Sequence, residues 1–312
     1  MRLGTFFAPW GPAASLSGAE QAVHQAESSG FATLWTGDHL LFPEVQLSRY
    51  PYNSQAQSPF AAHTPLLEAV TLLAYLAGVS ATIGLGISVL VLPLRNPILT
   101  AKQLANVQTL SQGRLIVGLG IGWLREEFEA LGVPFRHRGD ITDDYIAALQ
   151  HLWHGAGAPF QGRHVAIEAA GFAPKPEPIP PLVIGGNSER ALRRAARLGD
   201  GWHPLRLGPL ETRAGIEKLA QFAELEHRDP TSLRVVLRTS LLEAGVLQAG
   251  PPGAGDRLLS SIFGTLEEYR SAGVTEFVIE FPYPDCPPER QIEWLQWLGE
   301  QRVTRQFNSE AV

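Results

Sequence analysis

The chain has 312 residues, 45% of them hydrophobic and 18% charged, with a formal net charge of −6 at pH 7. That balance supports a sizeable core and leaves no basic field, which argues against nucleic acid or an anionic membrane surface as a partner. The single cysteine, Cys286, excludes internal disulfides and any thiolate metal cluster, and no apolar run approaches the ~18 residues of a membrane span.

The N-terminal MRLGTFFAP opens as a strand, Arg2–Ala8, and not as a targeting segment, so a cytoplasmic protein is expected. Ser17 reads as the cap of a helix from Gly18 to Ser29, with Glu20 completing a capping box. Ala32–Thr36 is a second strand, followed by Gly37-Asp38-His39 and a polar, aromatic loop to His63. Such a loop is too long to be idle in a compact domain and suggests a cover over substrate. Thr64–Ala77 reads as a helix, Thr82–Val89 as a strand, and Pro97–Leu110 as a helix with proline in its first turn. Leu115–Gly118 is a fourth strand and Ile141–Trp153 a helix. Gly155–Pro181 is an excursion, with a small hairpin around Gln161-Gly162-Arg163. Strands at Leu182–Ile184, Gly201–Pro204, Arg234–Glu243 and Phe277–Phe281 then alternate with helices at Glu189–Leu198, Leu210–Leu225, Leu258–Ser271 and Glu289–Gln301. The Leu247–Gly255 stretch is a loop insertion, and the Pro-rich surroundings of Cys286 form a loop.

Eight strands alternating with eight helices predict a (β/α)8 TIM barrel in one domain, 1–312. A doubly wound open sheet permits the same alternation. The stretch GRLIVGLGIGWLREEFEALG decides between them. Its glycines 118, 120 and 122 follow a strand and suit either a ligand's close approach or tight packing. The Rossmann fingerprint instead needs a glycine where Trp123 stands, and no acidic residue closes a second strand about 20 residues on.

In a barrel, ligands collect at the C-terminal ends of the strands. Those ends carry Asp38 and His39, Ser88 to Leu90, Gly118–Trp123, Gly185-Gly186-Asn187-Ser188, and Trp202 with His203. Large apolar groups and two glycine-rich sites dominate, with few titratable residues and no hydrolytic triad, HExxH motif or carboxylate cluster. An aromatic cofactor bearing a phosphate fits that inventory. Ser188 suits a phosphate at a helix N-terminus and equally a plain N-cap. Asp38 and His39 suit proton transfer, or His39 simply fixes its loop. His151 and His154 read as helix-end charges, Glu126 and Glu127 as first-turn charges, and Arg136, His137 and Arg138 as a solvated loop or a contact for an anionic tail.

The sequence resembles the luciferase-like oxidoreductases, barrel enzymes that use FMN or the deazaflavin coenzyme F420. The matching pieces are GDH after the second strand, GISVLVLPLRNP, GRLIVGLGIGWLREEFEALGVPF, RGDITDDYIAALQHLW, PPLVIGGNSERALRRAARLGDGW and SAGVTEF. The resemblance implies a cofactor ring at the barrel mouth, with its phosphate on the backbones of Gly185–Ser188 and Gly120–Trp123. It also implies a cis peptide at Ser88–Val89 behind the ring and a proton-exchanging His39 beside it. Ile121 stands where flavin enzymes of this type often carry a phosphate-gripping arginine, which favours F420 over FMN. Hydride transfer between F420 and an organic small molecule is therefore expected. An FMN-dependent monooxygenase supplied by a separate reductase is the alternative, and a noncatalytic flavin-binding member the third. The resemblance further implies a homodimer and a reductase that renews the cofactor.

Overall fold

The computed structural model describes residues 1–51, 56–242, 246, 249–251, 256–281 and 286–308. Its barrel strands are β1 (Arg2–Phe7), β2 (Thr33–Thr36), β3 (Gly84–Val91), β4 (Leu115–Gly120), β7 (Leu182–Gly185), β8 (Gly201–His203), β9 (Arg234–Thr239) and β10 (Glu276–Ile279). They close in the order β1-β10-β9-β8-β7-β4-β3-β2, and every pair is parallel. The (β/α)8 expectation is met. Strands covered on both faces carry near-continuous apolar runs, as in LIVGLG of β4, which is buried throughout.

The helices α1 (Leu16–Ser28), α2 (Ala69–Val79), α3 (Pro97–Leu110), α4 (Arg125–Ala130), α5 (Arg138–His154), α6 (Glu189–Leu198) and α7 (Pro209–Leu225) surround the strands, with later helices at Asp256–Ala272 and Pro288–Glu300. The main core lies between strands and helices. A second cluster fills the barrel and its mouth, with Phe6, Trp10, Trp35, Phe42 and Phe60 among its members. Near the closed end Glu276 is buried and accepts from Thr33 Oγ1 at 2.6 Å and Trp35 Nε1 at 2.8 Å.

Several boundaries differ from those expected. The cap of α1 is Ser15, whose Oγ accepts from the Gly18 N–H at 3.1 Å, because the helix starts directly after a 3-10 turn at Gly11–Ala13. Glu20 completes no capping box there and instead accepts from the Tyr75 hydroxyl. Helix α2 begins at Ala69 and not Thr64. Pro65 holds Thr64 out of helical conformation, Leu66 bridges to Trp10, and Glu68 caps the Val70 and Thr71 amides. The hairpin around Gly162 is present as β5 (Phe160–Gln161) and β6 (Ala166–Ile167). Asp144 holds its turn by accepting from the amides of Arg163, His164 and Val165. A helix at Val303–Asn308 was not legible as a separate element. It closes the N-terminal face, where Asn308 accepts from the Leu3 amide and donates to the Gly30 carbonyl. Glu243, the expected end of β9, and most of the 247–255 insertion lie outside the described residues, as do Pro282 and Pro284 of the Cys286 loop.

The β3–β4 pair shifts register between Ile87 and Leu90, and the Ser88–Val89 peptide within that bulge is cis. The glycines facing it make room for it. A Cβ on Gly118 would lie 2.2 Å from the Ile87 carbonyl oxygen, on Gly120 2.4 Å from Val89 Cγ2, and on Gly185 2.8 Å from Val89 Cγ1. Tight packing is thus a sufficient reason for these three glycines, whatever ligand passes above them.

Candidate active site

A cavity of about 900 Å³ opens at the C-terminal mouth of the barrel. Asp38, His39, Ser88, Val89, Gly120, Ile121, Gly122, Trp123, Gly185, Gly186, Asn187 and Ser188, twelve positions scattered over 150 residues of sequence, all line it. Topology brings them together because each lies at or just past the C-terminal end of a barrel strand.

One end is aromatic. The His39 ring lies 5.0 Å from that of Phe42 and 5.9 Å from those of Phe60 and Trp123. Tyr50 meets Trp123 edge-on at 5.0 Å. His39 is buried, and its Nδ1 hydrogen bonds Glu127 Oε2 at 2.9 Å. Among the described residues Nε2 has no partner. Glu127 is 1% exposed, and its other oxygen accepts from the Leu40 amide at 2.7 Å and the Leu41 amide at 3.4 Å. The neighbouring Glu126 accepts from the amides of Leu47 and Ser48, so the first turn of α4 seats the beginning of the long loop at two places. Neither glutamate is merely a helix-end charge.

Asp38 does not orient His39. Its Oδ2 accepts from the Val91 amide at 2.9 Å and its Oδ1 from Arg95 at 2.5 Å, and Arg95 also pairs with Glu68 at 2.7 Å. Burial raises the Asp38 pKa, against the opposing pull of Arg95 and the Val91 amide. The pair ties β2 to the end of β3.

Behind the bulge lies a network that local sequence gave no sign of. His203 Nδ1 faces the Val236 carbonyl oxygen at 2.5 Å, which can only accept, so Nδ1 carries the proton. His203 Nε2 therefore accepts from the Ser88 hydroxyl at 2.6 Å, while Arg238 donates to Ser88 Oγ at 2.9 Å and to the Ser88 carbonyl at 2.7 Å. Arg238 also lies over the Phe6 ring at 4.1 Å and 3.5 Å from Glu280, which Arg206 grips with two bonds of 3.0 Å. Burial raises the Glu280 pKa, but Arg238 and then Arg206 outweigh it and hold the carboxyl below its ordinary range. The Ser88 side chain is thereby committed to the floor of the site.

Burial, and next the nearby Arg238, lower the His203 pKa from 6.5 to about 3. The fold keeps this imidazole neutral, so below pH 6.5 the unfolded chain gains a proton that the folded one refuses. Its contribution to stability is intact above pH 6.5 and falls by about 1.4 kcal/mol per pH unit as the pH drops toward 3. On going from pH 7 to pH 5, wild type should lose about 2 kcal/mol more stability than His203→Gln does, as read by urea unfolding at each pH. Equal pH dependence in the two proteins would contradict a neutral buried His203.

The other end of the cavity suits an anion. Gly186, with φ +116°, turns the chain into α6, and Trp202 Nε1 donates to its carbonyl at 2.8 Å. Ser188 is the N-cap of α6, its Oγ accepting from the Ala191 amide at 3.3 Å. The Asn187 side chain is held against Leu205, donating to its carbonyl at 2.7 Å and accepting from its amide at 3.0 Å. Arg138 is held by the carbonyls of Gly122 and Phe135, and Arg194 by Asp143. Arg136 and Arg190 line the cavity and have no hydrogen-bond or ion-pair partner among the described residues. Arg190 stands in the first turn of the ten-residue α6 and Arg136 on the same cavity wall, and such guanidinium groups near a helix N-terminus suit a phosphate or carboxylate.

Among the described residues no helix is long and apolar enough to cross a membrane. The uncharacterised protein Rv0940c of Mycobacterium tuberculosis is 34% identical to this chain over 177 residues, 57% of this chain and 61% of that protein. An F420-dependent secondary alcohol dehydrogenase in complex with an F420–acetone adduct superposes with a TM-score of 0.76, at 15% identity over 97% of this chain and 98% of the other. The oxygenating constituent of 3,6-diketocamphane monooxygenase from Pseudomonas putida, in complex with FMN, superposes with a TM-score of 0.72, at 13% identity over 96% and 97% of the two chains. At such identities the two structures share the fold. The family model described as luciferase-like monooxygenase matches residues 1–242, and the chain belongs to that family.

Proposed function

We propose that this protein is an oxidoreductase that moves a hydride between coenzyme F420 and an organic small molecule, with His39 exchanging the accompanying proton. The observation that carries this is His39 itself, with Nδ1 fixed by a buried carboxylate and Nε2 left to an aromatic-walled cavity. The residues present fit the cofactor. The aromatic end and the Ser88–Val89 floor suit a flat ring, and the turn at Gly186, the α6 amides, Arg136 and Arg190 suit an anionic tail. When bound, F420 would supply or accept the hydride.

In the reducing direction His39, as imidazolium, gives its Nε2 proton to the substrate oxygen and keeps Nδ1–H on Glu127. In the oxidising direction neutral Nε2 takes that proton. The aromatic rings around His39 exclude water and face an apolar substrate. The F420-dependent alcohol dehydrogenase with the same fold makes small alcohols and ketones the first compounds to try. An FMN-dependent monooxygenase is the second reading, favoured by a phosphate cradle built from backbone that needs no arginine at Ile121. An anaerobic absorbance screen of alcohols, aldehydes and enones with oxidised and reduced F420 tests the proposal. Turnover without oxygen supports hydride transfer, whereas a strict oxygen requirement with FMN overturns it. A reductase renewing the cofactor, a homodimer and a cytoplasmic location accompany the proposal.

Ser188→Asp probes the anion end. Aspartate caps a helix as well as serine does, so the fold should survive while the added charge repels the cofactor's phosphate. Affinity is expected to fall about tenfold or more, roughly 1.4 kcal/mol, in a fluorescence titration. Unchanged affinity would leave Ser188 as a helix cap alone.

A further inference from the structure

We propose that Glu127 is the positioning residue that sets the His39 tautomer, presenting a bare Nε2 to the cavity; its catalytic consequence rests on the proton role proposed for His39. Glu127 and His39 are both buried, and the carboxylate is shared between two kinds of donor. Oε1 accepts from the Leu40 amide at 2.7 Å, with the Leu41 amide at 3.4 Å, and Oε2 meets His39 Nδ1 at 2.9 Å. An ionised carboxylate only accepts, so the hydrogen between Oε2 and Nδ1 belongs to His39. Nε2 of the neutral ring is then the free lone pair that faces the cavity.

The shared geometry makes the isosteric substitution informative. In Glu127→Gln one of the two oxygens becomes an NH2 group. The Leu40 N–H is part of the backbone and always donates, so the amide oxygen must stay on that side. The NH2 group then points at Nδ1, which becomes an acceptor, and the ring proton moves to Nε2. A neutral ring protonated at Nε2 cannot take a substrate proton there. It cannot give one either without becoming an imidazolate. Both directions of the reaction lose their proton carrier although the side chain keeps its shape.

The experiment uses the full chain labelled with ring-15N histidine, and long-range 1H–15N spectra at about pH 8, above the ordinary histidine pKa. The His39→Asn spectrum identifies the His39 signals. Wild type should show Nδ1 protonated and Nε2 bare, and Glu127→Gln the reverse within an otherwise native amide spectrum. Wild type carrying its proton on Nε2, or an unchanged tautomer in folded Glu127→Gln, would overturn the proposal. The wild-type spectrum decides even if the variant does not fold. With a substrate in hand, Glu127→Gln should lower turnover by on the order of 10²–10⁴-fold with cofactor affinity kept. Adding His39→Ala to it should cost little more, whereas additive losses would count against the proposal. These spectra need no cofactor, so failure to bind F420 would remove the proposed reaction and leave the tautomer result standing.

Discussion

His39→Ala should bind cofactor within a few-fold of wild type and lose most of its turnover, on the order of 10²–10⁴-fold. The imidazole presents a nitrogen to the aromatic end of the cavity, with its ring fixed by a buried carboxylate. The ring in the proposal lies beside His39, but the contacts that hold the cofactor's anionic tail lie elsewhere, on the turn at Gly186, the helix α6 amides, Arg136 and Arg190, so most of the affinity is separable from the chemistry. The substitution also leaves Glu127 without its Nδ1–H partner. A stability loss of about 1–3 kcal/mol should accompany the kinetic one. Steady-state kinetics on protein shown to be folded separate the two effects, because the loss should fall on kcat and not on KM. A wild-type rate would make His39 a loop anchor and assign the proton to water or to the substrate.

Asp38→Asn should do the opposite, lowering stability far more than chemistry. The carboxylate is fully committed to Arg95 and the Val91 amide, and Arg95 is itself 9% exposed along its side chain. Removing one partner of a buried ion pair typically costs about 3–5 kcal/mol. Glu68 remains on Arg95, so the lower figure is expected. Urea unfolding measures the loss, and turnover per folded molecule should stay near wild type. A loss of turnover matching that of His39→Ala, with unchanged stability, would return Asp38 to the chemistry.

The contrast between these neighbours shows where sequence was informative. Strand and helix periodicity predicted the barrel, and the rule that ligands meet the C-terminal ends of barrel strands assembled the cavity wall from Asp38 to Ser188. Which way each side chain turns depended on partners far away in the chain. His39 meets Glu127 across 88 residues, Ser88 meets His203 across 115, and Arg238 meets Ser88 across 150. Glu127 carried one usable signal, a pair of acids in the helix that follows the glycine-rich end of β4, but local rules assign acids in a first turn to the helix dipole. Ser17 illustrates the same limit at short range. Two serines are available, and the 3-10 turn ending at Ala13 selects Ser15.

Glycine carried a double meaning. Gly118, Gly120 and Gly185 are required by the Ile87–Val89 bulge, while Gly186 is required by a positive φ at the entrance to α6. Spacing alone could not separate these causes. Arg238 and Glu280 lie at the ends of strands that present little else, and their importance emerges only when the barrel closes and Arg238 reaches Ser88 on β3.

The central claim is tested most directly by parallel fluorescence titrations of the apo protein with F420 and with FMN. Saturable F420 binding is expected, tighter than FMN binding, weakened by Ser188→Asp and kept within a few-fold of wild type in His39→Ala. Tight FMN binding with no detectable F420 binding would contradict it and move the chemistry to oxygen activation.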